Sequence, residues 1–157
     1  MDDLLKQLGF EGEPVPIDDD GLLWLGPACD DWAPIVAEHS LSAVIDLEAG
    51  LDRGIPVNPN QLIYVYFPFR DEDVPTLHKL HAVARLGASL VAAGERVLVH
   101  CQMGLNRSAL VAGLVLVYSG LSGEDAVVRL QNRRPGALYN EAFAAYLRQQ
   151  PRGGGSA

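Results

Sequence analysis

Along the chain, apolar positions alternate between two periods. Residues 15–17 and 22–25 are short apolar runs on either side of Asp18-Asp19-Asp20-Gly21, which is turn chemistry, so they predict a short hairpin. Asp30 or Asp31 can cap a helix over residues 32–39, with Pro34 inside its first turn. Residues 42–47 (SAVIDL) and 62–67 (LIYVYF) are apolar and β-branched or aromatic, the pattern of buried strands. The loop between them carries Gly50, Gly54, Pro56 and Pro59. From Pro75 to Ala93 the period becomes helical: Leu77, Leu80, Val83, Ala84, Gly87, Leu90 and Val91 share a face that His78, Lys79, Arg85 and Ser89 avoid. Gly94 stops that helix, and residues 96–100 (RVLVH) form a fourth clear strand. A helix starts near Ser108. Its stretch from Ala109 to Tyr118 is about half of what spans a bilayer, so it reads as a buried core helix. Ser122 can cap a helix to about Arg133, and Asn140 a last one to about Gln150. Strands separated by helices predict an α/β domain with a mostly parallel central sheet of about five strands flanked by helices.

Composition narrows the class. The 157 residues suit one domain, expected over residues 1–150, with residues 151–157 as a flexible tail ending in GGGSA. The N-terminal MDDLLKQLGF lacks a basic start followed by a long apolar core, which argues against a secretory signal. A net charge of −8 argues against a general nucleic-acid or anionic-membrane binder. That charge is uneven. Residues 1–52 hold thirteen acids and one base, whereas residues 53–157 hold seven acids and eleven bases. The acidic region is expected to supply early strands away from the chemistry, leaving a cationic pocket to the rest.

The candidate chemistry lies in Val99-His-Cys-Gln-Met-Gly-Leu-Asn-Arg-Ser108. Cys101 and Arg107 are separated by five residues between a buried strand and a helix start. Such a loop binds phosphate, because its N–H groups and the helix dipole both favour an anion. The loop residues Gln102, Met103, Gly104, Leu105, Asn106 and Arg107 are therefore the candidate phosphate-binding set. Gly104 lets the backbone turn, and the planar fork of Arg107 can hold two phosphate oxygens. The same field favours the thiolate of Cys101, which would sit below a bound phosphate for in-line attack. Ser108 could donate a hydrogen bond to that sulfur, and His100 would orient the loop. A His before the cysteine, Gly within the loop and Ser or Thr after the arginine coincide by chance on the order of 10⁻⁵ per cysteine.

These residues match the signature of cysteine-based protein tyrosine phosphatases, His-Cys-x5-Arg-Ser/Thr, and the chain most resembles their small dual-specificity branch. LWLGPA and SAVIDL resemble that family's early strands, and LQNRRPGALYNEAFAAYL its closing helix–loop–helix. The resemblance implies a phosphomonoester hydrolase with a phosphocysteine intermediate, no cofactor and no metal. It also implies a general acid on an upstream loop. In Phe67-Pro-Phe-Arg-Asp-Glu-Asp-Val-Pro75 the Pro-Phe-x-Asp pattern selects Asp71, with Asp73 as runner-up and Glu72 third. Three alternatives carry less: an RNA 5′-triphosphatase, suggested by the Asn-Arg ending; a phosphoinositide phosphatase, disfavoured by a loop without lysine or arginine before Arg107; and a low-turnover phosphate-binding module.

Other residues have plainer readings. Cys29 is expected to be free and inert, and His78 and His81 to lie on a solvated helix face. Trp24 and Trp32 read as core aromatics, and Arg53 and Arg70 as loop residues bordering the pocket. Arg129, Arg133 and Arg134 are explained by the C-terminal dipole of their helix. The expected partner is a phosphorylated protein, with phosphotyrosine favoured, or a small phosphomonoester. A cytoplasmic monomer that engages neither nucleic acid nor membrane completes the expectation.

Overall fold

A computed structural model describes residues 12–154. The expectations for the N-terminal decapeptide and for residues 155–157 lie outside the described residues. Among the described residues five strands form one sheet: β1 (Val15–Pro16), β2 (Leu23–Gly26), β3 (Ala43–Asp46), β4 (Ile63–Tyr66) and β5 (Val97–His100), in the order β1-β2-β5-β3-β4. Only the β1–β2 pair is antiparallel; β2, β5, β3 and β4 run parallel. The hairpin closes as its turn residues dictate, with Asp18 Oδ1 accepting from the backbone N–H groups of Leu22 and Leu23, both at 2.9 Å.

Among the described residues five α-helices cover the faces of the sheet: α1 (Trp32–His39), α2 (Leu77–Ala92), α3 (Arg107–Tyr118), α4 (Gly123–Arg133) and α5 (Glu141–Arg148). Period-2 alternation sorts the strand side chains between two cores. Ala43, Ile45, Val97 and Val99 pack with α2–α5, while Val44 and Leu98 pack with Trp32 and Val36 of α1. The apolar run entering at Ala109 is the central helix, buried from Ser108 to Val117. Capping follows the sequence. Asp31, rather than Asp30, accepts from Ala33 N, Ser122 from Asp125 N and Asn140 from Phe143 N. Among the described residues no helix is long and apolar enough to cross a membrane.

Four local expectations need correction. The LIYVYF run is the outer edge of the sheet, not a buried strand, with Ile63 and Tyr66 exposed. Leu77, placed on the apolar face of α2, is exposed instead. His81 is not solvated: it is buried, with Nδ1 2.6 Å from the Tyr118 hydroxyl and Nε2 2.5 Å from that of Tyr146. It links α2 to α3 and α5, and burial pushes its pKa below 6.5, assisted by Arg85. His78 is exposed as expected. Of the segment expected to be a tail, Arg152–Gly154 forms a 3₁₀ turn, and Gly154 is buried there.

Candidate active site

The loop from Cys101 to Asn106 joins the end of β5 to the start of α3, so the N-terminus of a twelve-residue helix points into it. Four successive loop carbonyls are tied outward. Gln102 O accepts from Ala28 N at 3.1 Å and Leu105 O from Leu138 N at 2.8 Å. Met103 O accepts from Arg134 Nη2 at 2.9 Å and Gly104 O from Arg134 Nε at 3.2 Å. In a trans peptide the C=O and the following N–H point in opposite directions. The N–H groups of residues 103–106 therefore turn to the inside of the loop. Gly104 makes this turn possible, since its φ is +69° and a Cβ there would lie 2.6 Å from the carbonyl carbon of Gly26.

Cys101 is buried within the loop, and its Sγ lies 3.2 Å from Ser108 Oγ on the first turn of α3. Arg107 is held in place from two sides: Nη2 donates to Glu48 Oε2 at 2.9 Å, and Nη1 to the carbonyl of Phe69 at 3.2 Å. Its Nε–H is buried and finds no acceptor among the described residues. A buried donor without a partner costs roughly 1–3 kcal/mol, a penalty that a phosphate oxygen in the loop would relieve.

The pocket above the loop is lined by Asp71, Cys101, Gln102, Met103, Leu105, Asn106, Arg107 and Tyr139. Asp71 thus reaches the cavity that holds the thiol, whereas Glu72 and Asp73 are not among its lining residues. Arg53 and Arg70 are exposed and do not line it either. Asp71 Oδ2 accepts from Asn106 Nδ2 and Oδ1 from Asn140 Nδ2, both at 2.8 Å.

His100 is fully buried behind the loop. Its Nε2 lies 2.5 Å from Asp52 Oδ2 and 3.5 Å from Asp46 Oδ1, its Nδ1 faces the Cys101 carbonyl at 3.5 Å, and Trp32 stacks on its ring at 4.3 Å. Burial raises the pKa of Asp46, to which the Tyr64 hydroxyl donates, and burial, with that hydrogen bond second, pushes the Tyr64 phenol up. Ligand atoms of Asp46, Asp52 and His100 lie within 4.8 Å of one another, a spacing a metal ion could use. In this arrangement they bond to each other and fix the imidazole. Cys29 is free, and burial pushes its thiol up to about 11.

The acidic region therefore does not lie away from the site. Asp46 and Asp52 hold His100, and Glu48 holds Arg107. An acid at the C-terminal end of β3, beside the strand that carries the loop, is the signal that could have exposed Glu48. Arg134 also departs from its expected role: its guanidinium is buried against the loop rather than set at a helix end for the dipole alone.

Residues 23–152 match the family model for the dual specificity phosphatase catalytic domain. Human protein tyrosine phosphatase type IVA 3 is 30% identical over 103 residues, covering 62% of this chain and 57% of that protein. This chain thus matches just over half the length of that relative. Among solved structures, a single-residue variant of human DUSP28 superposes with a TM-score of 0.72 at 25% identity, covering 86% of this chain and 91% of that one. Tk-PTP in its active form gives 0.68 at 26% identity, covering 88% and 97%.

Proposed function

Because this chain belongs to the dual specificity phosphatase family, we propose that it hydrolyses phosphomonoesters through a phosphocysteine at Cys101. The observation that carries this reading is the inverted loop, whose outward-tied carbonyls leave a ring of N–H groups around Cys101. In the first step the Cys101 thiolate attacks phosphorus, the Sγ–P bond forms and the P–O bond to the leaving group breaks. Asp71 gives its proton to the departing oxygen. In the second step Asp71 takes a proton from water, whose oxygen attacks phosphorus, and the Sγ–P bond breaks to return the thiolate. Ser108 Oγ, 3.2 Å from the sulfur, donates to the thiolate as it leaves. The loop amides and Arg107 hold the phosphoryl oxygens throughout, and they oppose charge on the transferring group best in the transition state. His100 fixes the loop from behind.

Asp71 takes the acid role over Asp73 because it lines the cavity with Cys101. The exposed ring of Tyr139 at the mouth favours an aryl phosphate, hence phosphotyrosine in a protein, by offering the leaving group an apolar face. The loop side chains before Arg107 carry no charge, which favours this over a polyphosphoinositide. The enzyme is proposed to work without a metal, as a monomer, in the reducing cytoplasm that a catalytic thiol needs. Hydrolysis of p-nitrophenyl phosphate in EDTA tests the core of the reading. Activity should disappear in Cys101→Ser, and rapid acid quench should trap phosphate on Cys101. A strict metal requirement, or full activity in Cys101→Ser, would refute it. A panel of phosphotyrosine peptide, phosphoinositide and 5′-triphosphate RNA tests the substrate class.

A further inference from the structure

Asp71 stands on a loop between β4 and α2 that has no regular secondary structure, and it is an exposed residue. Nothing in its own segment explains why it points into the cavity. The explanation lies in two asparagines from other parts of the chain. Asn106, in the phosphate loop, is 2% exposed and donates its Nδ2 to Asp71 Oδ2. Asn140, at the start of α5, donates its Nδ2 to Asp71 Oδ1 and also to the carbonyl of Glu72 at 3.1 Å.

The direction of both amides is fixed by backbone donors. Asn106 Oδ1 accepts from Asn140 N at 2.9 Å, and Asn140 Oδ1 accepts from Phe143 N at 3.3 Å. Each oxygen is committed to an N–H, so each NH₂ must face the carboxyl group. The phosphate loop, the acid loop and the α4–α5 connection are thereby closed into one triangle around Asp71.

We propose that Asn106 and Asn140 are positioning residues that clamp Asp71 by both carboxyl oxygens and hold it at proton-transfer distance from the leaving group. This rests on the reading of Asp71 as the general acid. Two-point attachment fixes the plane of the carboxyl group, which one hydrogen bond would leave free to rotate. A loop carboxylate displaced by about 1 Å loses much of its effect on a reaction that needs a near-attack geometry. The clamp also gives a chemical reason for the Asn-Arg ending of the phosphate loop. At position 106 a glycine would remove the donor to Asp71 and a serine would shorten it, both leaving the loop amides in place.

The test separates positioning from folding by the leaving group. Phenyl phosphate needs a proton on its departing oxygen, whereas 2,4-dinitrophenyl phosphate leaves without one. Asn106→Ser and Asn140→Ser should each lower kcat/KM for phenyl phosphate by roughly tenfold, a share of the 10²-fold or more that a general acid supplies. For the dinitrophenyl ester the loss in Asn140→Ser, which lies outside the phosphate loop, should stay below about twofold. Serine at 140 can still cap α5, so the melting temperature checks that the variant is folded. In an Asp71→Asn background Asn140→Ser should cost nothing further, because the group it positions is gone. In Asn140→Ser, equal losses on both esters, or additive losses on top of Asp71→Asn, overturn the clamp. If Asp71→Asn itself spares phenyl phosphate, the acid reading fails and takes the clamp with it. If Asp71→Asn is selective and Asn140→Ser is not, the clamp alone fails.

Discussion

Replacing Arg134 by methionine keeps a long side chain in a buried site and removes the donors that hold the carbonyls of Met103 and Gly104 outward. A hydrogen bond from a charged group contributes about 1.5–3 kcal/mol, so two lost bonds amount to roughly 3–6 kcal/mol before compensation. Part of this returns, because burial already disfavours the guanidinium charge and lowers its pKa, and methionine carries no such penalty. A net cost of about 2–3 kcal/mol is expected, which in a domain of this size lowers Tm by roughly 4–12 °C. A domain with about 5–15 kcal/mol in hand stays folded. The functional loss should be larger in proportion. Once freed, either peptide can rotate and aim an oxygen at the bound anion where an N–H stood. Removing one such preorganised donor costs about 10²–10³-fold in rate. The assay is kcat/KM with p-nitrophenyl phosphate alongside inhibition by vanadate, read against the thermal melt. A variant that melts lower but binds vanadate within threefold of the parent would refute the inverted-loop argument and leave Arg134 as packing only.

Gly104→Ala should lower kcat/KM about a hundredfold, because φ of +69° and backbone of Gly26 at 2.6–2.7 Å leave no flexible neighbour to yield, a penalty of roughly 3 kcal/mol at the site. Steady-state kinetics with circular dichroism to confirm folding checks it. Cys29→Ser should keep full activity. With its pKa near 11, Cys29 carries only about one thiolate in ten thousand at neutral pH, so brief iodoacetamide treatment followed by mass spectrometry should leave it unmodified. His81 gives a pH dependence of stability. Its native pKa is lowered while the unfolded chain takes up a proton near 6.5, so the unfolded state binds more protons and stability falls as pH drops below that value. Thermal melts between pH 7.5 and 5 should show a steeper decline in the parent than in His81→Gln, and parallel curves would contradict the assignment.

The parts of this fold legible in the sequence are those in which cause and effect are close together. Asp31, Ser122 and Asn140 cap the helices they precede because an N-cap needs a partner only two or three residues away. The loop from Cys101 to Arg107 is likewise a local object. His81 and the LIYVYF run instead depend on partners far along the chain. His81 looks like a surface histidine until Tyr118 and Tyr146, 37 and 65 positions later, close on its two nitrogens. The LIYVYF run has the composition of a buried strand, yet two of its aromatic residues turn their hydroxyls to the loop after β3. Tyr66 Oη accepts from Gly50 N at 2.7 Å and Tyr64 Oη from Asp52 N at 2.9 Å. Composition scores the rings and cannot see that each hydroxyl has a destination.

The same distance separates the charge count along the chain from the charge at the site. Counted along the chain, the acids of residues 1–52 stand apart from the basic remainder, and a cationic pocket follows. In three dimensions β3 lies beside β5, with Asp46 in register with His100, so the acids at its end are delivered to the back of the phosphate loop. Glu48 then offsets much of the charge of Arg107, and Asp46 and Asp52 surround His100. What remains to attract a phosphate is mainly oriented rather than net charge: loop N–H groups, the dipole of α3 and the unpartnered Nε–H of Arg107. Oriented dipoles act over short distances and demand a fitted shape, whereas net charge acts at long range on any anion. A site built this way discriminates by whether a phosphoryl group can enter the loop, and the overall acidity of the chain is no obstacle to it.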